Sequence, residues 1–153
     1  MPSLKIFLDA SVVLAGLASS TGGSRKILAA ARDNKIKLLT TPFIIQEVVN
    51  HLQKLDIEPS QLETLLSRKT IHLMANPHEK IIEKFSKTSS DPNDAHVLAG
   101  ASLSGAIALI SLDKKHLLTP KVRKTLKPML VKSPQRILEV GQKVKLTSTS
   151  AKC

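Results

Sequence analysis

The chain predicts an α/β sandwich around a largely parallel, five-stranded sheet. Three observations carry this. Five short apolar runs alternate with helical patterns along the 153 residues, which is the signature of strands joined by helical crossovers. Several helical patterns open on a capping residue followed by proline, as in Thr41-Pro42, Asp91-Pro92 and Ser133-Pro134. Length and a hydrophobic share of 42% fit one compact domain with a sizeable core.

Leu4 to Leu8 reads as a buried strand ending at Asp9, and a short helix follows from Ser11. The Ser19–Gly23 loop leads into a helix over Ser24–Asn34, and Lys37–Thr40 is the second strand. Thr41 caps the next helix, with Pro42 in its first turn, and the pattern runs from Phe43 to Leu55. Pro59-Ser60 opens another, reaching Arg68. Ile71–Met74 is the third strand, and Asn76-Pro77 starts a helix ending near Lys87. Asp91-Pro92 starts one ending near Gly105, after which Ala106–Leu112 is the fourth strand. Residues 113–127 are irregular or short-helical, Met129–Val131 is the fifth strand, and Ser133-Pro134 starts a last helix. Residues 1–140 are expected to form one domain, with 141–153 a basic, flexible tail.

Composition narrows the chemistry. With no Trp or Tyr and only Phe7, Phe43 and Phe85, the core must be aliphatic, and stacking of bases on aromatic platforms has almost no residues to use. The net charge of +11 favours a polyanionic partner such as nucleic acid. Between Lys114 and Leu138 there is no acid, whereas Lys114, Lys115, Lys121, Arg123, Lys124, Lys127, Lys132 and Arg136 all fall there. The single cysteine, Cys153, permits no intrachain disulfide and suits a reducing, cytoplasmic setting. Cys/His zinc sites are excluded for want of thiols. The apolar run Ile6–Ala18 imitates a signal peptide, but Asp9 interrupts it, so it reads as strand plus helix. No run reaches the length of a membrane span.

In sheets of this class the site lies beyond the C-terminal ends of the strands, where the winding reverses. Asp9 ends the first strand and Asp113 ends the fourth. If the winding turns back after strand three, the two carboxylates meet in one crevice. Asp94, Val97, Leu98 and Ala101 share a helical stripe, so Asp94 tops the face that packs on the sheet. Asp91 and Asp94 also suit a plain helix cap, as N-cap and N3 around Pro92. Glu47, at the edge of its helix's apolar stripe, reaches the crevice or pairs with His51 one turn later. Clustered carboxylates repel and raise one another's pKa; a bound Mg²⁺ or Mn²⁺ removes that penalty. An acidic metal site beside a basic surface suits phosphodiester hydrolysis.

Phe7-Leu8-Asp9-Ala10-Ser11, Gln46-Glu47-Val48, Asp91-Pro92-Asn93-Asp94-Ala95-His96 and Ile110-Ser111-Leu112-Asp113 resemble, in order, the signature blocks of PIN-domain ribonucleases. The likeness spans residues 4 to about 138 and is nearest to prokaryotic toxin components of toxin–antitoxin pairs, including the VapC type. It implies a three-layer α/β/α sandwich with strand order 3-2-1-4-5 and a Mg²⁺- or Mn²⁺-dependent endoribonuclease. Asp9, Glu47, Asp94 and Asp113 match the family's four metal-site acids, and Asp91 a supporting acid. Ser11 stands where many members carry Asn, and Ser111 where many carry Thr. Lys114 and Lys115 are candidate phosphate contacts, or a solvated turn. The implied partners are RNA, a cognate antitoxin and a second copy of the chain; no membrane is implied. Two other classes stay open. One is a PIN fold that binds RNA or protein without cutting. The other is a phosphoacceptor domain, against which stand the lone Asp9 and the +11 charge.

Overall fold

The computed structural model describes residues 4–139. Its sheet is five-stranded and all parallel, in the order β3-β2-β1-β4-β5. The strands are β1 (Leu4–Leu8), β2 (Ile36–Thr40), β3 (Ile71–Leu73), β4 (Ala108–Ile110) and β5 (Leu130–Lys132). Consecutive residues of the central strands are buried because both faces are covered: Ile6, Phe7 and Leu8 of β1 and Ala108, Leu109 and Ile110 of β4 are all buried, though neighbours point to opposite faces. The core is aliphatic as composition requires, with Phe7 its one fully buried aromatic. The expected basic tail, 141–153, lies outside the described residues.

Helices flank the sheet: α1 (Ala10–Ala18), α2 (Gly23–Arg32), α3 (Pro42–Leu52), α4 (Pro59–Ser67), α5 (Glu79–Lys84), α6 (Ala95–Ser104) and α7 (Pro120–Leu126). Residues 134–139 are also helical. Capping chemistry sets several starts. The Thr41 hydroxyl accepts the Ile44 N–H before α3, and the Thr119 hydroxyl accepts the Val122 N–H before α7. Gly105, at φ +71°, ends α6 in the left-handed conformation that glycine tolerates.

The helix expected over Phe43–Leu55 ends at Leu52, and the one expected from Asp91-Pro92 opens as a 3₁₀ turn before α6 begins at Ala95; two other elements shrink more. The helix expected from Asn76-Pro77 to Lys87 is shorter, Glu79–Lys84, and starts at His78, whose Nδ1 accepts the Lys80 N–H. The Asn76 side chain is drawn off to accept the Phe43 N–H at 2.9 Å, tying the β3–α5 loop to the head of α3. The fourth strand shrinks from 106–112 to Ala108–Ile110. Beyond Ile110, side chains capture the amides that would extend the ladder: Ser11 Oγ takes the Leu112 N–H and Ser111 Oγ takes the Asp113 N–H.

The winding reverses between β1 and β4, which are direct neighbours, with Leu8 opposite Ile110. That switch point places the ends of β1 and β4 side by side, joined one residue further by Asp9 N–H to Ile110 O at 3.1 Å. The crevice beyond is where a site is expected in this class of sheet.

Candidate functional site

Asp9 is the first residue after β1 and heads α1, yet its side chain does not cap that helix. Its Oδ2 instead accepts the hydroxyls of Ser11 at 2.8 Å and Ser111 at 2.9 Å. Each serine thus faces two ways, donating to Asp9 and accepting an amide from the strand that has left the ladder. Asp9 is only 6% exposed. Burial pushes its carboxyl up, the serine hydroxyls and the Ala10 amide pull it down, and the nearby Glu47 charge adds to the rise.

Asp91 and Asp94 separate, although they stand three residues apart. The Asp91 carboxylate accepts the Asn93 N–H at 3.0 Å and starts a 3₁₀ turn, Pro92–Asp94. Asp94 then heads α6 without a side-chain cap bond. Its carboxyl is pushed up to about 6, first by burial and then by Asp9, Asp91 and Asp113. Those four acids therefore share one field. Ser89 Oγ lies 3.4 Å from Asp94 Oδ2, and His116 offsets part of the rise. Asp113 follows β4; its Oδ1 accepts the Lys115 and His116 amides at 3.1 and 2.9 Å, folding the turn that follows.

Glu47 does not pair with His51 through its carboxylate; His51 Nδ1 contacts the Glu47 backbone oxygen. The carboxylate meets His96 instead, with Oε1 to Nε2 at 2.6 Å. Phe43, one turn before Glu47 on α3, sets its ring edge-on to His96 with centroids 5.9 Å apart. Phe43 and Glu47 thereby clasp the first turn of α6. The His96 Nδ1 is buried without a partner among the described residues. Residue-by-residue reading assigned His96 no role, although its place two residues after Asp94 and the Phe43–Glu47 spacing were visible.

Lys114 and Lys115 are both exposed. Lys114 lines a cavity beside the acidic crevice, together with cations from α7, β5 and the helix at 134–139.

All-oxygen donors suit a hard divalent cation. The carboxylates of Asp9, Asp94 and Asp113 have that chemistry, and their mutual repulsion is of the kind a cation relieves. They are not drawn together at bonding distance: among the described residues no three His, Cys, Asp or Glu side chains are grouped closely enough to hold a metal ion as they stand. The donors fit a cation in kind and in shared location, and ligation would have to pull them inward.

A neutral side chain of the same shape tests the burial argument. Asp9→Asn keeps an oxygen for both serine hydroxyls and removes the buried carboxylate, while giving up the acceptor for the Ala10 amide. The metal-free variant should melt higher at pH 7, by roughly 2–4 °C. A lower melting temperature would show that the charge stabilises the fold.

The sequence model of the PIN domain family matches residues 5–115. No curated protein matches the chain. Among the described residues no helix is long and apolar enough to cross a membrane.

Proposed function

The chain belongs to the PIN-domain family, whose members are generally nucleases, and we propose that it is a divalent-metal-dependent endoribonuclease. One observation carries the reading. Asp9 after β1, Asp94 at the head of α6 and Asp113 after β4 share a single electrostatic crevice at the sheet's switch point. Asp9, Asp94 and Asp113 would hold the cation, with Glu47 at the margin on the His96 side. When bound, Mg²⁺ or Mn²⁺ supplies Lewis acidity toward a phosphoryl oxygen and makes nearby water more acidic. The chain's own residues do the rest. Ser11 and Ser111 fix the orientation of Asp9 through its Oδ2. Asp91 sets the turn that aims Asp94. His96 fixes Glu47 across two helices. Lys114, next to Asp113, supplies positive charge for the substrate backbone.

The test is cleavage of total RNA with Mn²⁺, against the same reaction in EDTA. No Mn²⁺-dependent cleavage under any buffer would reject the reading. A second reading rests on the ungathered carboxylates: a PIN fold that binds RNA without cutting it. The same assay separates the two, since that module would retain RNA and release no fragments.

The finer role we propose is the toxin of a toxin–antitoxin pair, acting in the cytoplasm as a homodimer and blocked by an antitoxin over the acidic crevice. Its support is the resemblance of the four acidic blocks to such toxins. Growth arrest on expression, relieved by a co-expressed partner that binds the chain, checks it.

Metal binding also predicts a pH dependence. Burial and the neighbouring acids push the Asp94 carboxyl up to about 6, against 3.8 for the free side chain. Between about pH 4 and 6 the native state therefore holds the extra proton, so this group's contribution to stability falls as pH rises through that window. A cation needs the carboxylate and competes with that proton. Mn²⁺ at about 100 times its Kd should raise the melting temperature by roughly 5–10 °C at pH 7.5. At pH 5 the rise should be clearly smaller. Equal shifts at both pH values would place the metal elsewhere.

A further inference from the structure

Eight cations crowd the acid-free run from Lys114 to Leu138, but the fold does not treat them alike. Lys121 is spent on the carbonyl of Lys87, 2.6 Å from its Nζ. Lys114, Arg123, Lys132 and Arg136 come from four different segments and line one open cavity of about 640 Å³. Arg123 is anchored by Nε to the Val131 carbonyl at 3.4 Å, which leaves the far end of its guanidinium for the cavity. The one acid on the lining, Glu139, lies 3.6 Å from Arg136 on the exposed rim. A concave surface with four cations and one acid focuses positive potential.

Position tells what would enter it. Lys132 ends β5 and Lys114 follows β4, so the cavity opens at the same end of the sheet as Asp9 and Asp113. In register, Lys132 stands opposite Ile110 and Asp113 adjoins Lys114. Neighbouring strands are about 5 Å apart, so β5 sets the cavity's Lys132 beside the strand whose end leads to Asp113. We propose that this cavity is a second phosphate subsite, which holds the backbone of a single RNA strand on the β5 side of the acidic crevice. The proposal rests on the nuclease reading for its substrate, but not on cleavage. Guanidinium forks and ammonium groups grip backbone phosphates whatever the base, which suits a chain almost without aromatic side chains.

The test is RNA binding without metal. Fluorescence anisotropy of a labelled single-stranded RNA of about twelve nucleotides is read in EDTA across a salt series. The full chain is compared with the double variant Lys132→Gln/Arg136→Gln, which leaves all four crevice acids in place. Loss of one or two phosphate contacts should flatten the slope of log K against log salt by about 0.7 to 1.4. Affinity at low salt should fall about tenfold or more, with an unchanged melting temperature. An unchanged slope and affinity would overturn the proposal. So would tight binding of poly-glutamate in place of RNA, lost in the variant, which would assign the cavity to an acidic polypeptide. If the flattened slope appears and the parent never cuts RNA with Mn²⁺, the subsite stands and the nuclease reading falls. If the parent cuts RNA and the variant binds it equally well, the reverse holds.

Discussion

Asp94→Asn should lower Mn²⁺-dependent RNA cleavage by about a thousandfold or more, while the protein folds as before. The expectation follows from what the carboxylate faces. It makes no cap bond on α6 and lies in the field of Asp9, Asp91 and Asp113. A cation at this point contributes several kcal/mol to the transition state, and each 1.36 kcal/mol is about tenfold in rate. Asparagine keeps the shape and removes the charge. Since Asp94 is already pushed up to about 6 by burial and like charges, a neutral side chain there relieves strain in the metal-free protein. Activity and stability should therefore part: cleavage collapses and the melting temperature holds or rises. Asp91→Asn is the informative companion, because its carboxylate serves the turn through the Asn93 amide, and asparagine can still accept that bond. It should retain most of the activity. Full cleavage by Asp94→Asn, measured under single-turnover conditions with EDTA blanks, would reject the acidic crevice as the reacting centre.

What the sequence disclosed and what it hid follow from the range of the interactions. The central strands were legible because a segment buried on both faces must be apolar at consecutive positions, as Phe7-Leu8 and Leu109-Ile110 show. Helix starts at Thr41-Pro42 and Pro59 were legible because capping and proline act within one turn. The separation of Asp91 from Asp94 was also local, since a helical stripe distinguishes their directions. The retreat of β4 was not legible: it depends on Ser11, about a hundred residues away, taking the Leu112 amide. Nor was the Glu47–His96 pair, which joins two helices across 49 positions. His51, one turn from Glu47, was the local candidate, and the tertiary partner displaced it. The basic run shows the same limit. Its charge was plain, but which four of its eight cations converge depends on how α7 packs beside β5.

Gly100→Val should destabilise the protein by about 2–3 kcal/mol, a fall in melting temperature of roughly 5–10 °C. Gly100 sits mid-way along α6, where the helix rests on the sheet. A Cβ there would stand 2.8 Å from Cζ of Phe7 and 3.2 Å from Cγ2 of Thr41. Neither neighbour can yield readily, because both are fully buried; Thr41 also caps α3. The helix gains only about 0.4 kcal/mol in propensity from losing glycine, so the clash decides the sign. Relief must come from lifting α6 off β1. That movement shifts the first turn of α6, and with it Asp94 and His96, away from Asp9 and Glu47. A displacement of about 1 Å at a reacting centre can cost about a hundredfold in rate, so cleavage should fall further than the loss of folded protein explains. Shortening the obstructing ring tests the cause: Phe7→Leu, itself mildly destabilising, should restore part of both stability and cleavage in the Gly100→Val background, with a coupling of about 0.5–3 kcal/mol. Strictly additive effects would mean that α6 is not held at its height by the contact between Gly100 and Phe7, and that the crevice tolerates a looser seat for Asp94 than the fold suggests.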